Sequence, residues 1–364
     1  MRISFLDTLE RVTHYNFTTP SESINKDLVF LLQSVDKKEL SILYKKAAQI
    51  RNEQCGKRLV LRGLLEFSSF CTNSCYYCGL NCNNKKAKRY KLSAPQILEC
   101  CDKIWKAGIK TVVMQSGEDH MPTEELATII KKIKSRYDMA ITLSVGERPR
   151  ADYECWKKAG ADRYLLRIES SDPILYASLH KDRSVITRMR CLDNLQDLGY
   201  QTGCGFMVGV PGQTINHIAQ DITFIAQHNY DMVGIGPFIP HPETPFKNAS
   251  IGDIRLTLNA EALIRITNKN AWIPATTAIA SLDKDYRIDA LFAGANVIMP
   301  NFSPKNVKKK YAIYPGKKCI TEKEKDYAKE MQNLALAANL TLDYAKADSL
   351  KTIFRPQLSA FSHT

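Results

Sequence analysis

The chain has 364 residues, 44% of them hydrophobic, and a formal net charge of +13. That length suits an α/β barrel with extensions at its ends and supplies a large core. No run of about 18 apolar residues occurs, and the opening MRISFLDTLERVTHYNF has neither the apolar segment of a signal peptide nor the character of a transit peptide. The expectation is a cytoplasmic protein with no membrane attachment. Its eleven cysteines, an odd number spread from Cys55 to Cys319, are too sparse for a secreted disulfide scaffold and read as reduced thiols. The lysines are scattered over many predicted helices with no helix-turn-helix, RNP or zinc-finger pattern, so nucleic acid is not an expected partner.

Residues 1–56 read as a helical extension: Leu40, Leu43, Tyr44, Ala47 and Ala48 form one apolar face, and Cys55-Gly56 ends it with a glycine cap. From Leu59 strands and helices alternate. LVLRGLLEF (59–67) is a predicted strand that runs into a cysteine-bearing loop. Ser93 caps a helix to Ala107 carrying Ile97, Leu98, Cys101, Ile104 and Trp105 on one face. Further strands are expected at 109–115, 139–144, 162–169, 200–209, 231–238, 271–278 and 295–299. The helices between them include ones with Leu126, Ile129, Ile130 and Ile133, and with Val185, Met189, Leu192 and Leu195. Eight strands over about 240 residues is the rhythm of a (β/α)8 TIM-type barrel, with a partial, open barrel as the alternative. The barrel domain spans 57–320. A C-terminal helix (322–340) and tail complete 321–364.

In such a barrel the C-terminal strand ends carry the chemistry, and here they are polar. After the cysteine loop come Gln115-Ser116-Gly117-Glu118, then Thr142 and Ser144, Arg167 and Glu169, Gly209 to Gln213, Met232 with a Pro-rich loop, Thr276-Thr277 and Met299-Pro300-Asn301. The cysteine loop holds Cys71, Cys75 and Cys78 in C-x-x-x-C-x-x-C spacing with Tyr77 before the last. Thiolates suit iron–sulfur clusters and zinc. Three ligands on a four-iron cluster leave one iron open. Cys82, four residues on, keeps a closed zinc site or a fully ligated electron-transfer cluster as alternatives. Cys100-Cys101 read as core, and Cys155, Cys191 and Cys204 have no partner at ligand spacing.

The CYYC form of this spacing resembles the radical S-adenosylmethionine (SAM) enzymes. RYKLS (89–93), VVMQSGED (112–119), LSVGERPR (143–150), AGADRYLLRIES (159–170), MVGVPGQT (207–214), DMVGIGPFIPHPETP (231–245), IPATTA (273–278), GANVIMPN (294–301) and YPGK (314–317) are similar to the HydE-type [FeFe]-hydrogenase maturases. Biotin synthase and methylornithine synthase are relatives.

The resemblance implies a [4Fe–4S] cluster on Cys71, Cys75 and Cys78 whose open iron chelates SAM, and reductive cleavage of SAM to a 5′-deoxyadenosyl radical. It assigns Tyr77, Gln115, Ser116, Glu118, Glu169, Arg188, Gly209, Met232 and Tyr311 to SAM. Thr142, Ser144, Arg167, Thr276, Thr277 and Met299 fall on the substrate side. Glu169 offers a carboxylate for an ammonium and Arg188 a guanidinium for a carboxylate.

Enzymes of this type are understood to act on an iron–carbonyl–cyanide–cysteine complex made by a companion maturase. The implied partners are therefore a small organometallic or amino-acid-derived substrate, companion hydrogenase maturases and an electron donor such as ferredoxin or flavodoxin, in the cytoplasm of an anaerobic cell. Such a substrate is anionic, which gives the Lys308-Lys309-Lys310 run and Arg167 a role as a basic mouth. Some members hold a second cluster on three C-terminal cysteines; here only Cys319 stands in that region, so one cluster and no second is expected. Another small-molecule radical SAM reaction, such as a methylornithine-type rearrangement, is the alternative. A non-enzymatic iron–sulfur carrier would predict no SAM cleavage.

Overall fold

The structure, a computed structural model, describes residues 4–19, 21–119, 121–318 and 327–351. The first segment forms three helices, α1 (Phe5–His14), α2 (Glu22–Leu32) and α3 (Lys37–Cys55). Asp36 starts α3 by accepting from the N–H of Lys38 and Glu39 at 2.9 and 3.1 Å. Leu28, Leu31, Leu32, Leu43 and Ala47 are buried. Asn259 ties this layer to the barrel: it donates to the Leu32 carbonyl at 3.0 Å and accepts from Tyr44 Oη at 2.7 Å.

The alternating part contains β1 (Arg58–Leu61), β2 (Gly63–Ser68), α4 (Ala94–Lys106), β3 (Thr111–Ser116), α5 (Thr123–Arg136), β4 (Ala140–Ser144), α6 (Arg150–Ala159), β5 (Arg163–Leu165), α7 (Pro173–Leu179), α8 (Val185–Asp197), β6 (Gln201–Val208), α9 (Ile215–His228), β7 (Met232–Pro237), α10 (Ile254–Thr267), α11 (Arg287–Phe292), β8 (Val297–Ile298), α12 (Lys305–Lys308), α13 (Tyr327–Ala337) and β9 (Thr341–Asp343). Strands β2 to β7 make a parallel six-stranded sheet in chain order. Strand β1 lies between β8 and β9 in a second parallel sheet. Single bridges at Met232–Trp272, Pro274–Val297 and Leu64–Asn301 join the two sheets. The result is a TIM-type barrel whose strands are covered on both faces, which is why they read as nearly continuous apolar runs. Among the described residues no helix is long and apolar enough to cross a membrane.

Four local differences from the sequence expectation have physical causes. The run 59–67 divides at Arg62, whose side chain turns into the foot of the barrel, where Nη1 lies 2.9 Å from Met232 Sδ. The next residue must be glycine, because a Cβ on Gly63 would lie 2.7 Å from Ile104. The expected strand 271–278 is reduced to bridges, since Pro274 has no N–H to donate; the ladder resumes with Ala275 N–H on the Val297 carbonyl at 2.9 Å. Helix α7 was not expected, although Asp172-Pro173 is a start signal: Asp172 Oδ1 accepts from Leu175 N–H at 2.8 Å. Finally, β9 pairs with β1, and the strap that follows it closes the barrel foot. There Arg163, fully buried, donates to the Lys346 carbonyl at 2.7 Å and to Asp348 at 2.8 Å, and Trp272 Nε1 donates to the Asp348 carbonyl at 3.1 Å. The parts of the expected C-terminal helix and tail at 321–326 and 352–364 lie outside the described residues.

Candidate active site

The cysteine loop is clamped at its neck. Ser69 N–H donates to the Tyr90 carbonyl at 2.9 Å and Leu92 N–H to the Phe67 carbonyl at 2.8 Å. Arg89 lies across the loop, donating to the carbonyls of Ser69, Leu80 and Asn81 at 2.6 to 2.8 Å. Thr72 N–H meets the Glu118 carbonyl at 2.9 Å, which locks the loop to the end of β3. Cys71, Cys75 and Cys78 are half-buried, with Cys75 near enough to Cys71, and Cys78 to both, to feel their charge. Burial, then the neighbouring Cys71, pushes the Cys75 thiol up to about 12; burial also raises Cys71 and Cys78. Cys82 is tied back through its N–H to the Asn73 carbonyl at 2.8 Å.

Tyr77 leans over the loop and bonds His180, Oη to Nε2, at 2.9 Å. His180 is buried and stacks on Tyr176 with ring centroids 4.2 Å apart. Its Nδ1 faces the Tyr176 carbonyl at 3.2 Å and so carries the proton, leaving Nε2 to accept from Tyr77. Burial, followed by the charge of Arg188, lowers His180 to about 3, and the ring is neutral.

Beside the loop lies an ionic network. Arg183 reaches Glu118 at 3.0 Å and Glu147 at 3.2 Å and also bonds Asn73 in the cysteine loop. Glu147 holds Arg188 Nε at 2.5 Å, and Arg188 Nη1 donates to the Arg167 carbonyl at 2.7 Å. Glu118 Oε2 accepts from Glu147 N–H at 2.9 Å. Arg167 pairs with Glu169 at 3.0 Å. Glu169 is buried, its carboxyl raised by that burial, on a left-handed backbone of φ +61°. Such a backbone in a non-glycine residue is a local cost that the surroundings must enforce.

The remaining positions vary. Gln115 on β3 lies beside the buried Tyr311. Ser116 Oγ is turned to its neighbour, donating to the Gly117 carbonyl at 2.6 Å. Thr142 Oγ1 is buried without a partner among the described residues, and Ser144 ends β4 in register with Gln115. Thr276 Oγ1 donates to the Ile235 carbonyl at 3.0 Å, and the Thr277 carbonyl accepts from Ser281 Oγ at 2.6 Å. Met299 packs against the buried cluster that holds Val60, Met232, Trp272 and Val297. Gly209 has φ +88°, and a Cβ there would lie 2.4 Å from Gly252 Cα, so packing alone demands this glycine.

Two expectations are corrected. Met232 opens β7 rather than ending it, and it lies at the foot beside Arg62 and Trp272, away from the cysteine loop. In the Lys308-Lys309-Lys310 run Lys308 is buried and Lys310 half-buried, leaving Lys309 exposed, because α12 turns the run inward. The buried cation near Tyr311 is instead Lys317, with Nζ 4.9 Å from the Tyr311 ring centroid and paired with Glu66 on β2. Sequence reading gave no role to Glu66, Glu147, His180, Arg183 or Lys317. Glu147 and Lys317 lie inside the quoted motifs, whereas His180 and Arg183 belong to α7 and its exit, which spacing did not mark.

The loop fits an iron–sulfur cluster by its donors: three thiols held together where burial keeps them protonated until a metal charge displaces the protons. Among the described residues no three His, Cys, Asp or Glu side chains converge as a site for a single ion. A four-iron cluster takes each thiolate at a separate corner and does not need such convergence.

Barrel, loop and mouth together define a radical SAM enzyme, and the Radical SAM superfamily sequence model matches residues 65–225. The chain is 48% identical over 284 residues to the [FeFe] hydrogenase maturase subunit HydE of Thermotoga maritima, a match covering 78% of this chain and 81% of the relative. It is thus a member of the HydE family within that superfamily. It is also 28% identical over 279 residues to 3-methylornithine synthase of Methanosarcina acetivorans, covering 75% of this chain and 77% of the relative. A crystal structure of methylornithine synthase superposes with a TM-score of 0.78 at 25% identity, over 90% of this chain and 95% of that one.

Proposed function

We propose that this enzyme is a HydE-type maturase, acting on a small organometallic or amino-acid-derived substrate during assembly of the diiron cofactor of [FeFe]-hydrogenase. It works in the cytoplasm of an anaerobic cell with companion maturases and a ferredoxin- or flavodoxin-like electron donor. The observation that carries the reading is the 48% identity over 284 residues to a HydE maturase. Cys71, Cys75 and Cys78 hold one [4Fe–4S] cluster, which when bound supplies the electron that splits SAM and leaves a 5′-deoxyadenosyl radical. No second cluster is bound: Cys319 stands alone in its region of the sequence, outside the described residues.

The chain's own residues prepare the mouth. Glu169 offers a carboxylate to the SAM ammonium, and Arg188, already oriented by Glu147 and the Arg167 carbonyl, turns its free edge to the SAM carboxylate. Tyr77, fixed by neutral His180, covers the loop from solvent. Gln115, Ser116, Glu118, Gly209 and Tyr311 form the remaining SAM wall. Thr142, Ser144, Arg167, Thr276, Thr277 and Met299 line the deeper part, where the unpartnered Thr142 hydroxyl and Arg167 Nε await bonds from a polar substrate.

The test is anaerobic reconstitution followed by hydrogenase maturation with the protein omitted or carrying Cys75→Ala. Both samples should leave the hydrogenase inactive, and Cys75→Ala should cleave no SAM above background. Full maturation without the protein overturns the maturase reading. SAM cleavage by wild type without maturation points instead to another small-molecule radical SAM reaction, such as a methylornithine-type rearrangement. About four irons per chain agrees with a single cluster, and about eight rejects it.

A further inference from the structure

Three segments meet at Tyr76, the residue after Cys75. Its N–H donates to the Leu179 carbonyl at 3.0 Å, its carbonyl accepts from Phe246 N–H at 3.4 Å, and its ring stands edge-on to Phe246 with centroids 5.9 Å apart. Each segment carries lysine outward. Lys85, Lys86 and Lys88 follow in the cysteine loop, Lys181 lies just beyond Leu179, and Lys247 adjoins Phe246; all are exposed. The acidic groups in these segments are Asp182, exposed, and Glu243, which holds Lys86 at 2.9 Å. Among the described residues Lys85, Lys88, Lys181 and Lys247 form no ion pair. Like charges gathered without counter-charges repel one another, and an incoming anionic surface relieves that repulsion.

We infer that this collar around Tyr76 is the docking surface of an acidic one-electron carrier protein. The inference rests on Cys71, Cys75 and Cys78 being the cluster ligands. A folded carrier cannot enter the barrel, so it must pass its electron through the outer wall of the cysteine loop. Tyr76 is a point on that wall adjacent in the chain to a ligand cysteine, as exposed Phe70 and Thr72 are beside Cys71, and Tyr76 is where the three lysine-bearing segments meet. One electron leaves the carrier and one enters the cluster; no atom moves. A single-stranded nucleic acid is also anionic, but it favours aromatic faces on which to stack, and the Tyr76 ring is already engaged edge-to-face with Phe246.

The experiment compares wild type with the triple variant K85E/K181E/K247E, using a photoreduced bacterial flavodoxin and, separately, dithionite. The variant should show a KM for flavodoxin raised at least about tenfold at low salt, with dithionite-driven SAM cleavage unchanged. Wild-type KM should climb with ionic strength while that of the variant stays flat. Binding of oxidised flavodoxin to the reconstituted proteins, followed by titration calorimetry, should weaken in parallel. Equal flavodoxin KM and affinity in the two proteins overturns the docking surface. Retained flavodoxin binding with lost binding of single-stranded RNA overturns it in favour of nucleic acid. If wild type cleaves no SAM with dithionite, the enzymatic reading fails, and the calorimetric comparison still decides the surface.

Discussion

At the scale of single residues, the left-handed backbone of Glu169 needs an anchor, and Asp221 on α9 supplies it. Asp221 Oδ1 accepts from both the N–H and the hydroxyl of Ser171, each at 2.6 Å, while Oδ2 is buried without a partner among the described residues. The segment from Glu169 through this turn and α7 ends at His180, the partner of Tyr77. Asp221 therefore braces two of the proposed SAM contacts from outside the mouth. Burial raises its carboxyl to about 7. The folded value lies above the unfolded one, so the fold favours the protonated acid; that contribution is complete at low pH and is lost as pH rises toward 7. Between pH 5 and pH 8 the wild-type Tm should fall relative to that of Asp221→Asn, which cannot ionise; parallel Tm profiles would reject this. Asp221→Ala, which releases Ser171, should weaken SAM binding by about tenfold, roughly one lost hydrogen bond to a charged group, read by titration calorimetry.

At the scale of elements, the alternation of strand and helix was legible because both faces of a parallel strand are buried and its apolar run is unbroken, as in TVVMQS and AITLS. The cysteine loop was legible because ligand spacing is local. Contacts distant in sequence were not: Lys317 meets Glu66 across the barrel, and nothing near either residue announces the other. Met232 was misplaced because the neighbouring motif drew attention to the strand's far end. Strand β9 escaped notice because three residues make no periodic pattern, yet it begins the strap that supplies acceptors to Arg163 and Trp272. Deleting residues 340–364 should leave the buried guanidinium of Arg163 short of partners and cost at least about 3 kcal/mol, measured as a fall in the urea midpoint. Asp348→Ala should cost less, because the Lys346 carbonyl still accepts from Arg163. Equal stability of the truncated and full chains would remove the strap from the fold's support.

For the molecule as a whole, the sealed foot has a kinetic consequence. Among the described residues Arg62, Arg163 and the strap lie across one end, which leaves the mouth as the way in, so whatever reacts deepest goes in first and leaves last. Binding becomes a queue: the deep reactant takes its place, SAM follows and closes the line, and 5′-deoxyadenosine departs before the deep product is released. SAM arriving early stands in the doorway. Initial rates should therefore fall at high SAM and recover as the second substrate is raised; rates that rise monotonically with SAM at every concentration of that substrate would mean the barrel has another way in.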